Sequence, residues 1–200
     1  MAKAKKSQRK SSRGRGRASA SRSAPADAVA LLKADHRQVE GWFKEFKASG
    51  SDSRKQELAR KACQALKVHT QIEEEIFYPS FLQATDEEDI HHEAEVEHEG
   101  AKRLIADIEG SGPDDEYFDA KVKVLSEMIR HHVNEEEKRG GMFAKAKQSG
   151  MDLRTLGEQL ASRKAEIMGR ADSAPEKRRS SRERRNASRT DGGMPRALAR

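Results

Sequence analysis

Cysteine, aromatic residues and long apolar runs are all scarce in this sequence of 200 residues. Its one cysteine, Cys63, excludes an intramolecular disulfide, a zinc site built from several cysteines and a CxxC redox pair. No apolar run approaches the ~20 residues that span a bilayer, and the N-terminal segment lacks the apolar core of a signal peptide. We therefore expect a soluble, cytoplasmic protein with no membrane association, in which any metal is held by histidine and carboxylate side chains.

Acidic residues are missing from residues 1–26, which carry nine lysines and arginines. Residues 170–200 carry ten basic and four acidic residues, which leaves 21 basic and 30 acidic residues for the segment 27–169. Only 34% of the chain is hydrophobic, against ~45–50% in typical globular proteins. Because the two basic segments have too few apolar residues to form a core, we predict disordered basic tails at 1–26 and 170–200 around one folded domain, 27–169.

The alternation typical of β-strands is also absent, whereas apolar residues recur every three or four positions in four long stretches. Helices are predicted over about 26–49, 53–79, 85–110, 113–140 and, shorter, 152–168. The signals for these limits are Gly50, Ser51 or a Ser53/Gln56 capping box, a break or kink at Pro79, a Thr85/Glu88 capping box, Gly110, Pro113 in a first turn, Gly140-Gly141, and Asp152 as an N-cap. The pattern predicts an all-α protein: an up-down-up-down four-helix bundle with a short C-terminal fifth helix.

Histidines lie on the apolar faces of all four long helices, where leucine, isoleucine, valine and alanine are expected. These histidines are His36, His69, His98 and His132. Two glutamates, Glu73 and Glu136, follow one turn after a histidine in the second and fourth helices. Since an unpaired buried carboxylate costs several kcal/mol, the glutamates need either a shared cation or direct pairing with the imidazoles.

The spacing favours a shared cation. His69 with Glu73, and His132 with Glu136, are i,i+4 pairs that stack on one helix face. The segments HTQIEEE and HHVNEEE repeat this arrangement. The helical register favours His132 over His131, and Glu136 over Glu135 and Glu137. Such a mixed nitrogen and oxygen donor set suits iron, zinc or manganese, and not calcium or magnesium, which prefer oxygen ligands only.

Four segments of the chain resemble the helices of a hemerythrin-like, HHE cation-binding domain: LLKADHRQVEGWF, LKVHTQIEEEIFYPSF, EHEGAKRLI and IRHHVNEEEKRGGMFAKA. The resemblance covers about residues 27–169. It implies a non-haem di-iron centre inside a four-helix bundle, with these ligands: His36, His69, Glu73, His98, His132 and Glu136.

The sequence departs from the oxygen-carrying hemerythrins at two places. Those proteins have a second histidine one turn from the third-helix histidine, where this chain has Ala94 and Lys102. They also carry HxxxxD on the last helix, where this chain has HxxxE. Both departures argue against plain oxygen storage, and they leave His91 or Glu95 as the source of a further third-helix ligand. The HxxxE pairs are similar to those of di-iron proteins linked to nitric-oxide stress response and iron-sulfur cluster repair.

Two functional hypotheses remain open from the sequence. The first is a di-iron protein that binds, senses or detoxifies oxygen, peroxide or nitric oxide, or buffers iron, with an enzymatic role left open. The second is a nucleic-acid-associated protein that contacts phosphates through its basic tails, with a structural helical domain. Other polar residues are interpreted as supporting or surface groups: His91, His92 and His131 beside the ligands or at the surface, Tyr78 in helix-end packing, and Glu74, Glu75, Glu135 and Glu137 on a solvated acidic face.

Overall fold

The computed structural model describes the backbone of residues 27–187 and the side chains of residues 27–170. This part of the chain contains no β-strand, and its helices are α1 (Ala28–Ala48), α2 (Asp52–Ile72), a π-helical turn (Glu73–Phe77), α3 (Tyr78–Thr85), α4 (Glu88–Glu109), α5 (Phe118–Glu137), α6 (Met142–Gln148) and α7 (Leu153–Ala187). The prediction of an all-α protein is confirmed. The predicted tail at 1–26, and residues 188–200 of the other predicted tail, lie outside the described residues.

Four arms form the up-down-up-down bundle: α1, then α2 continued by the π-helical turn and α3, then α4, then α5. Helix α1 packs against α2 and α5, and α4 packs against the same two helices. The interior contains two apolar clusters. One includes Phe43, Leu66 and Leu125, and the other includes Leu32 and Phe77. Each large apolar side chain buried there stabilises the fold by ~1.5–3 kcal/mol before entropy is counted.

Helix α2 continues through a widened turn where the sequence predicted a break or kink at Pro79. Proline has no backbone N–H and its ring crowds the preceding turn of an α-helix. The backbone accommodates Pro79 by widening the turn before it, so that the N–H of Tyr78 donates to the carbonyl of Glu73, five residues back. The arm therefore continues to Thr85, and Glu73 lies at the first position of the π-helical turn. Such turns occur frequently at functional sites.

Thr85 is the last residue of α3 and not the N-cap of the next helix, as the capping-box pattern predicted. Its hydroxyl donates to the carbonyl of Phe81 at 2.7 Å. The chain reverses at Asp86, which has a left-handed backbone conformation with φ of 54°, a conformation that aspartate tolerates better than most residues. Helix α4 then begins at Glu88 without a side-chain cap and ends before Gly110, as predicted.

Of the two alternatives predicted for the start of α2, the Ser51 N-cap is confirmed and the Ser53/Gln56 capping box is wrong, and the predicted start of α5 at Pro113 is also wrong. The N-cap of α2 is Ser51, whose hydroxyl accepts from the N–H of Arg54 at 3.4 Å, so Ser53 lies inside the helix. Pro113 precedes α5 by several residues and is not in its first turn, because Asp115 organises a turn of its own. The Asp115 carboxylate accepts from the N–H of Tyr117 at 2.8 Å, a local bond that competes with helix formation.

The C-terminal part of the fold contains one helix that the pattern did not separate and one that is longer than predicted. Helix α6 follows the Gly140-Gly141 turn and buries Phe143 in the second apolar cluster. Helix α7 starts after Asp152, which caps it through a 3.0 Å bond from the N–H of Thr155. It continues past the predicted end at Met168 to Ala187, through a segment in which arginine, a residue that favours helix, is the most frequent. None of the described helices has the length and apolar character needed to cross a membrane.

Candidate metal centre

The structure brings all six predicted ligand side chains together inside the bundle. They come from every arm: His36 from α1, His69 and Glu73 from the second arm, His98 from α4, and His132 and Glu136 from α5. None of the six is more than 4% exposed. The cluster touches both apolar clusters, because Val39 and Leu66 line a small cavity beside the histidines and the ring of Phe143 stacks on that of His36 at 5.8 Å.

The four imidazoles form two pairs whose Nε2 atoms face each other. These atoms are 3.1 Å apart in the pair His36 and His69, and 3.2 Å apart in the pair His98 and His132. Each pair joins two helices, α1 with α2 and α4 with α5. Two unprotonated ring nitrogens at this distance direct their lone pairs at each other, so each pair requires a proton or a cation between its members.

The two glutamates lie between the pairs. The Oε2 atom of Glu73 is 3.2 Å from Nε2 of His69 and 3.5 Å from Nε2 of His98. The Oε2 atom of Glu136 is 3.4 Å from Nε2 of His36 and 3.7 Å from Nε2 of His132. Each carboxylate therefore links one member of each histidine pair.

Neither glutamate side chain has a hydrogen bond in the described part of the chain. All four carboxylate oxygens of Glu73 and Glu136 are buried and without a hydrogen-bond partner. Oxygens of this kind are costly unless something else satisfies them. Their position among imidazole nitrogens suits carboxylates that bind a cation.

The donor atoms divide into two overlapping groups, in each of which the ligand atoms lie within 4.8 Å of one another. The groups are His36, His69, Glu73 and Glu136, and Glu73, His98 and His132. Because Glu73 belongs to both, the arrangement fits two cations that share a carboxylate.

Each imidazole also faces a carboxylate with its other nitrogen, Nδ1. The distances are 2.9 Å from His36 to Glu137, 2.9 Å from His98 to Glu74, 2.8 Å from His132 to Glu97 and 3.5 Å from His69 to Asp35. A carboxylate only accepts, so Nδ1 carries the proton and Nε2 is free to bind a cation. The first three contacts are hydrogen bonds, and the fourth is an ion-pair distance.

Cationic side chains hold three of these carboxylates from the solvent side. Arg37 donates two bonds to Glu137, at 2.8 and 2.9 Å. Although burial acts in the opposite direction, the bonds from Arg37 and His36 lower the pKa of Glu137 to about 2. Lys102 donates to Glu74 at 2.8 Å, and Lys164 donates to Asp35, and the pKa values of both carboxylates are lowered, despite the opposing effect of burial.

Two of the imidazoles have raised pKa values. Burial opposes the charged form of His69, but the carboxylates of Glu73 and Asp35 raise its pKa to about 10. The pKa of His132 rises to about 9, because Glu136 and Glu97 outweigh the same effect of burial. Protons are therefore held at neutral pH where a cation would lie.

Of the other groups of the centre, His36 and His98 have lowered pKa values, whereas Glu136 has a raised one. Burial and the neighbouring His69 lower the pKa of His36 to about 4, and burial lowers the pKa of His98. Burial and the charge of Glu73 raise the pKa of Glu136. A cation that binds here must displace the protons of the centre, which is usual for metal sites.

Tyr78 contributes a hydroxyl that the sequence reasoning assigned to helix-end packing. The Tyr78 oxygen is 3.1 Å from Nε2 of His98, the imidazole nitrogen that points into the centre. Burial and the charge of Glu73 raise the pKa of this hydroxyl well above its ordinary value. Tyr78 is therefore a neutral hydrogen-bonding group of the centre, in addition to its place in the apolar core.

His91 and Glu95, the alternatives for a further α4 ligand, lie outside the two ligand groups of the centre. They face each other, with His91 Nε2 3.5 Å from a Glu95 oxygen. His91 lies two helical turns from His98, about 10 Å along the axis. The ring of Tyr78 occupies the space between, with its centroid 5.5 Å from that of His91 and 5.4 Å from that of His98.

The sequence reasoning missed the four carboxylates that face Nδ1. Glu74 and Glu137 were interpreted as a solvated acidic face, and Asp35 and Glu97 were not singled out. One signal was present: each of the four lies next to a candidate ligand in the sequence. Its partner, however, is on another helix, and adjacency within one helix does not show which imidazole a side chain reaches.

Comparisons with known proteins agree with this geometry. Residues 27–143, more than half of the chain, match the profile of the hemerythrin HHE cation binding domain. A hemerythrin HHE cation binding domain-containing protein from Mycobacterium kansasii has a similar crystal structure, with a TM-score of 0.61 and 22% identity, covering 72% of this chain and 89% of that one. A DNA nickase from Nostoc sp. is 28% identical over 110 residues, which are 54% of this chain but only 30% of the nickase. The chain belongs to the hemerythrin HHE cation-binding domain family.

Proposed function

We propose that this chain holds a pair of transition-metal ions, iron in the first place, with Glu73 and Glu136 shared between them. The observation that supports this most strongly is the set of four buried carboxylate oxygens that have no hydrogen-bond partner and lie between paired imidazole nitrogens. One ion would be held by His36 and His69, and the other by His98 and His132. Zinc and manganese fit the same donor set.

A bound iron pair would supply reversible binding or activation of oxygen, peroxide or nitric oxide. The chain's own residues favour such small ligands. A cavity of about 10 Å³ lies beside the four histidines, lined by Val39, Leu66, Ile129 and Val133. That is room for about one water-sized molecule, and its apolar walls exclude larger polar compounds.

The α4 side of the centre offers fewer protein donors than the α1 side. The positions one turn before and after His98 are Ala94, which is buried in the core, and Lys102, which binds Glu74. We infer that a small ligand binds on this side, where the Tyr78 hydroxyl can donate a hydrogen bond to it. Such an arrangement would admit oxygen, peroxide or nitric oxide.

Elemental analysis of the full chain, purified without added metal and after reconstitution with Fe²⁺, tests the proposal. We expect about two metal equivalents per chain, and an iron charge-transfer band that shifts with azide or peroxide. His132→Ala should lose the band and at least one equivalent. His131→Ala is the matched control, because His131 is adjacent in sequence but its side chain is 61% exposed.

The proposal fails if the wild-type chain remains metal-free after reconstitution. It also fails if His131→Ala and His132→Ala lose metal equally while both keep the helical circular dichroism of the wild type. Glu136→Gln, with Glu135→Gln as its control, repeats the comparison with a carboxylate.

A second candidate function is contact with nucleic acid through the basic segments 1–26 and 170–200. It is favoured by their charge and by the similarity to part of a DNA nickase. Binding of this kind weakens steeply with salt because counterions are released from the phosphates. We expect duplex DNA to bind the full chain in low salt only, and replacement of the nine basic residues of 1–26 by glutamine to weaken binding. Exchange of lysine and arginine within that segment, which keeps the charge, is the control.

A further inference from the structure

A surface cleft of about 90 Å³ opens beside the candidate metal centre, between α4 and the turn after α5. Its outer part carries three glutamates and one lysine, Lys138, which pairs with Glu135 and leaves an excess of negative charge, and its inner wall includes two of the candidate ligands. The residues that matter here are Glu93, Glu97 and Glu135 at the outside, and His132 and Glu136 at the inside. The cleft therefore connects solvent with the centre.

Glu136 forms the inner end of this cleft. Its side chain is 2% exposed, and neither of its carboxylate oxygens has a hydrogen-bond partner among the described residues. A buried, unpartnered carboxylate lining an acidic cleft attracts cations, because field lines concentrate between low-dielectric walls. This feature points to a cationic ligand that reaches Glu136 through the cleft.

A second group of potential ligands lies at the mouth of the cleft. Glu93, Glu97 and His131 offer three ligand atoms within 4.8 Å of one another. One oxygen of Glu97 is 3.2 Å from Nε2 of His131, and the other is 2.8 Å from Nδ1 of His132. A single carboxylate thus touches both the outer group and an imidazole of the buried centre.

Gly141 allows the wall of the cleft to have this shape. A Cβ atom at this position would lie 2.2 Å from the carbonyl oxygen of Glu135 and 3.0 Å from that of Glu136. Any other residue would push the turn away from the end of α5, where Glu135 and Glu136 line the cleft. The close approach of the backbone therefore keeps the two glutamates at the wall.

We propose that Glu93, Glu97 and His131 form a transient binding site that captures a divalent transition-metal ion from solvent and delivers it along the cleft to His132 and Glu136. The inference rests on the proposed function, since delivery requires a buried centre that holds metal. The outer site itself is weak, because two of its three residues are exposed and keep their hydration.

Stopped-flow uptake of Co²⁺ by the metal-free full chain, followed by its visible absorption, tests the proposal. The double variant Glu93→Gln/His131→Ala removes two outer ligands without changing the carboxylate that holds His132. We expect its uptake rate to fall about tenfold in low salt, while its final metal content equals that of the wild type. Glu88→Gln/His92→Ala makes the same chemical changes at exposed positions of α4 outside the cleft, and it should take up Co²⁺ at the wild-type rate.

The outcomes separate the two proposals. If the Glu93→Gln/His131→Ala rate equals that of the control variant, the delivery site is refuted and the buried centre stands. If the wild-type chain binds no Co²⁺, the proposed function itself fails. If the Glu93→Gln/His131→Ala chain reaches a lower final metal content, the outer residues are part of the centre and a delivery role is refuted.

Discussion

A histidine bound to a cation through Nε2 works best when its Nδ1 is held by an acceptor. In this chain each of the four imidazoles faces a carboxylate with that atom, and three of these contacts are hydrogen bonds of 2.8–2.9 Å. The carboxylate sets the tautomer, the ring orientation and the basicity of the ligand nitrogen. At the scale of the residue, the carboxylates at Nδ1 decide whether each imidazole presents Nε2 in the tautomer and orientation that bind a cation.

We predict that Glu74→Gln weakens iron or zinc binding about 10- to 100-fold, the usual effect of losing a partner of this kind. Glutamine can still occupy the space, but it withdraws the negative charge that favours Nδ1–H on His98. Competition with a chromophoric chelator measures the affinity. The control is Glu75→Gln, one residue along, whose carboxylate binds Arg163 at the surface and should leave the affinity unchanged. Equal losses in both variants would contradict this role for Glu74.

At the scale of the element, the π-helical turn sets the positions of Glu73 at its start and Tyr78 after it, so that both face the candidate centre. Glu73 is the first residue of this turn. Tyr78 follows the turn and donates its N–H to the carbonyl of Glu73. A π-helical turn contains one residue more than the α-helical turn it replaces. Removing one exposed residue inside it should therefore leave both ends in place.

We predict that deletion of Glu75 converts the turn to regular α-helix and keeps Glu73 and Tyr78 on the same face. The regular helix no longer accommodates Pro79, so the cost should be that of a proline in a helix interior, ~3 kcal/mol, together with that of a surface ion pair with Arg163, ~0.2–1 kcal/mol. Deletion of Lys67, an exposed residue of regular helix α2, is the control, because it rotates His69 away from the centre by about 100°. Thermal unfolding and metal content distinguish the two variants. A Glu75 deletion as damaging as the Lys67 deletion would show that the widened turn itself is needed.

At the scale of the whole molecule, a charged centre interrupts an apolar interior. His69 and His132 have pKa values of about 10 and about 9, above their ordinary value of 6.5. A group whose pKa is raised by folding stabilises the fold fully below its unfolded pKa, and this contribution is lost as the pH rises through the folded value. Glu136, whose pKa is also raised, acts in the same direction. His36, with a lowered pKa of about 4, contributes a loss on the acid side, below 6.5.

We therefore predict that the metal-free chain loses stability between pH 7 and pH 9.5, by up to about 1.4 kcal/mol per pH unit for each such proton. The metal-loaded chain should keep its stability over this range, because the bound cation replaces the protons and its binding strengthens as the pH rises. Binding should also stabilise the chain by about 2.7 kcal/mol when free metal is 100 times its Kd. Urea unfolding with EDTA and with Zn²⁺ at both pH values measures these differences. A metal-free chain that becomes more stable at pH 9.5 would contradict the assignment of protons to the centre.

The sequence by itself determined the helical class and the six inward-facing residues that are the candidate ligands. Periodicity is a local property, and the three-four spacing from Leu125 and Ile129 selects His132 over His131 without knowledge of any other helix. Helix ends were predicted less well, because local side-chain bonds such as those of Thr85 and Asp115 compete with the hydrogen bonds of a helix. The outcome of this competition depends on distances between atoms, which a residue pattern does not contain.

Only the tertiary structure decided which imidazoles pair, which carboxylate stands behind each, and how the centre meets solvent. His36 pairs with His69 and not with His98 because α1 and α2 approach each other there. Asp35 and Glu97 act on imidazoles of other helices, whereas spacing within one helix reports only its own face. The packing of four arms also placed His91 outside the two ligand groups, with the ring of Tyr78 between it and His98.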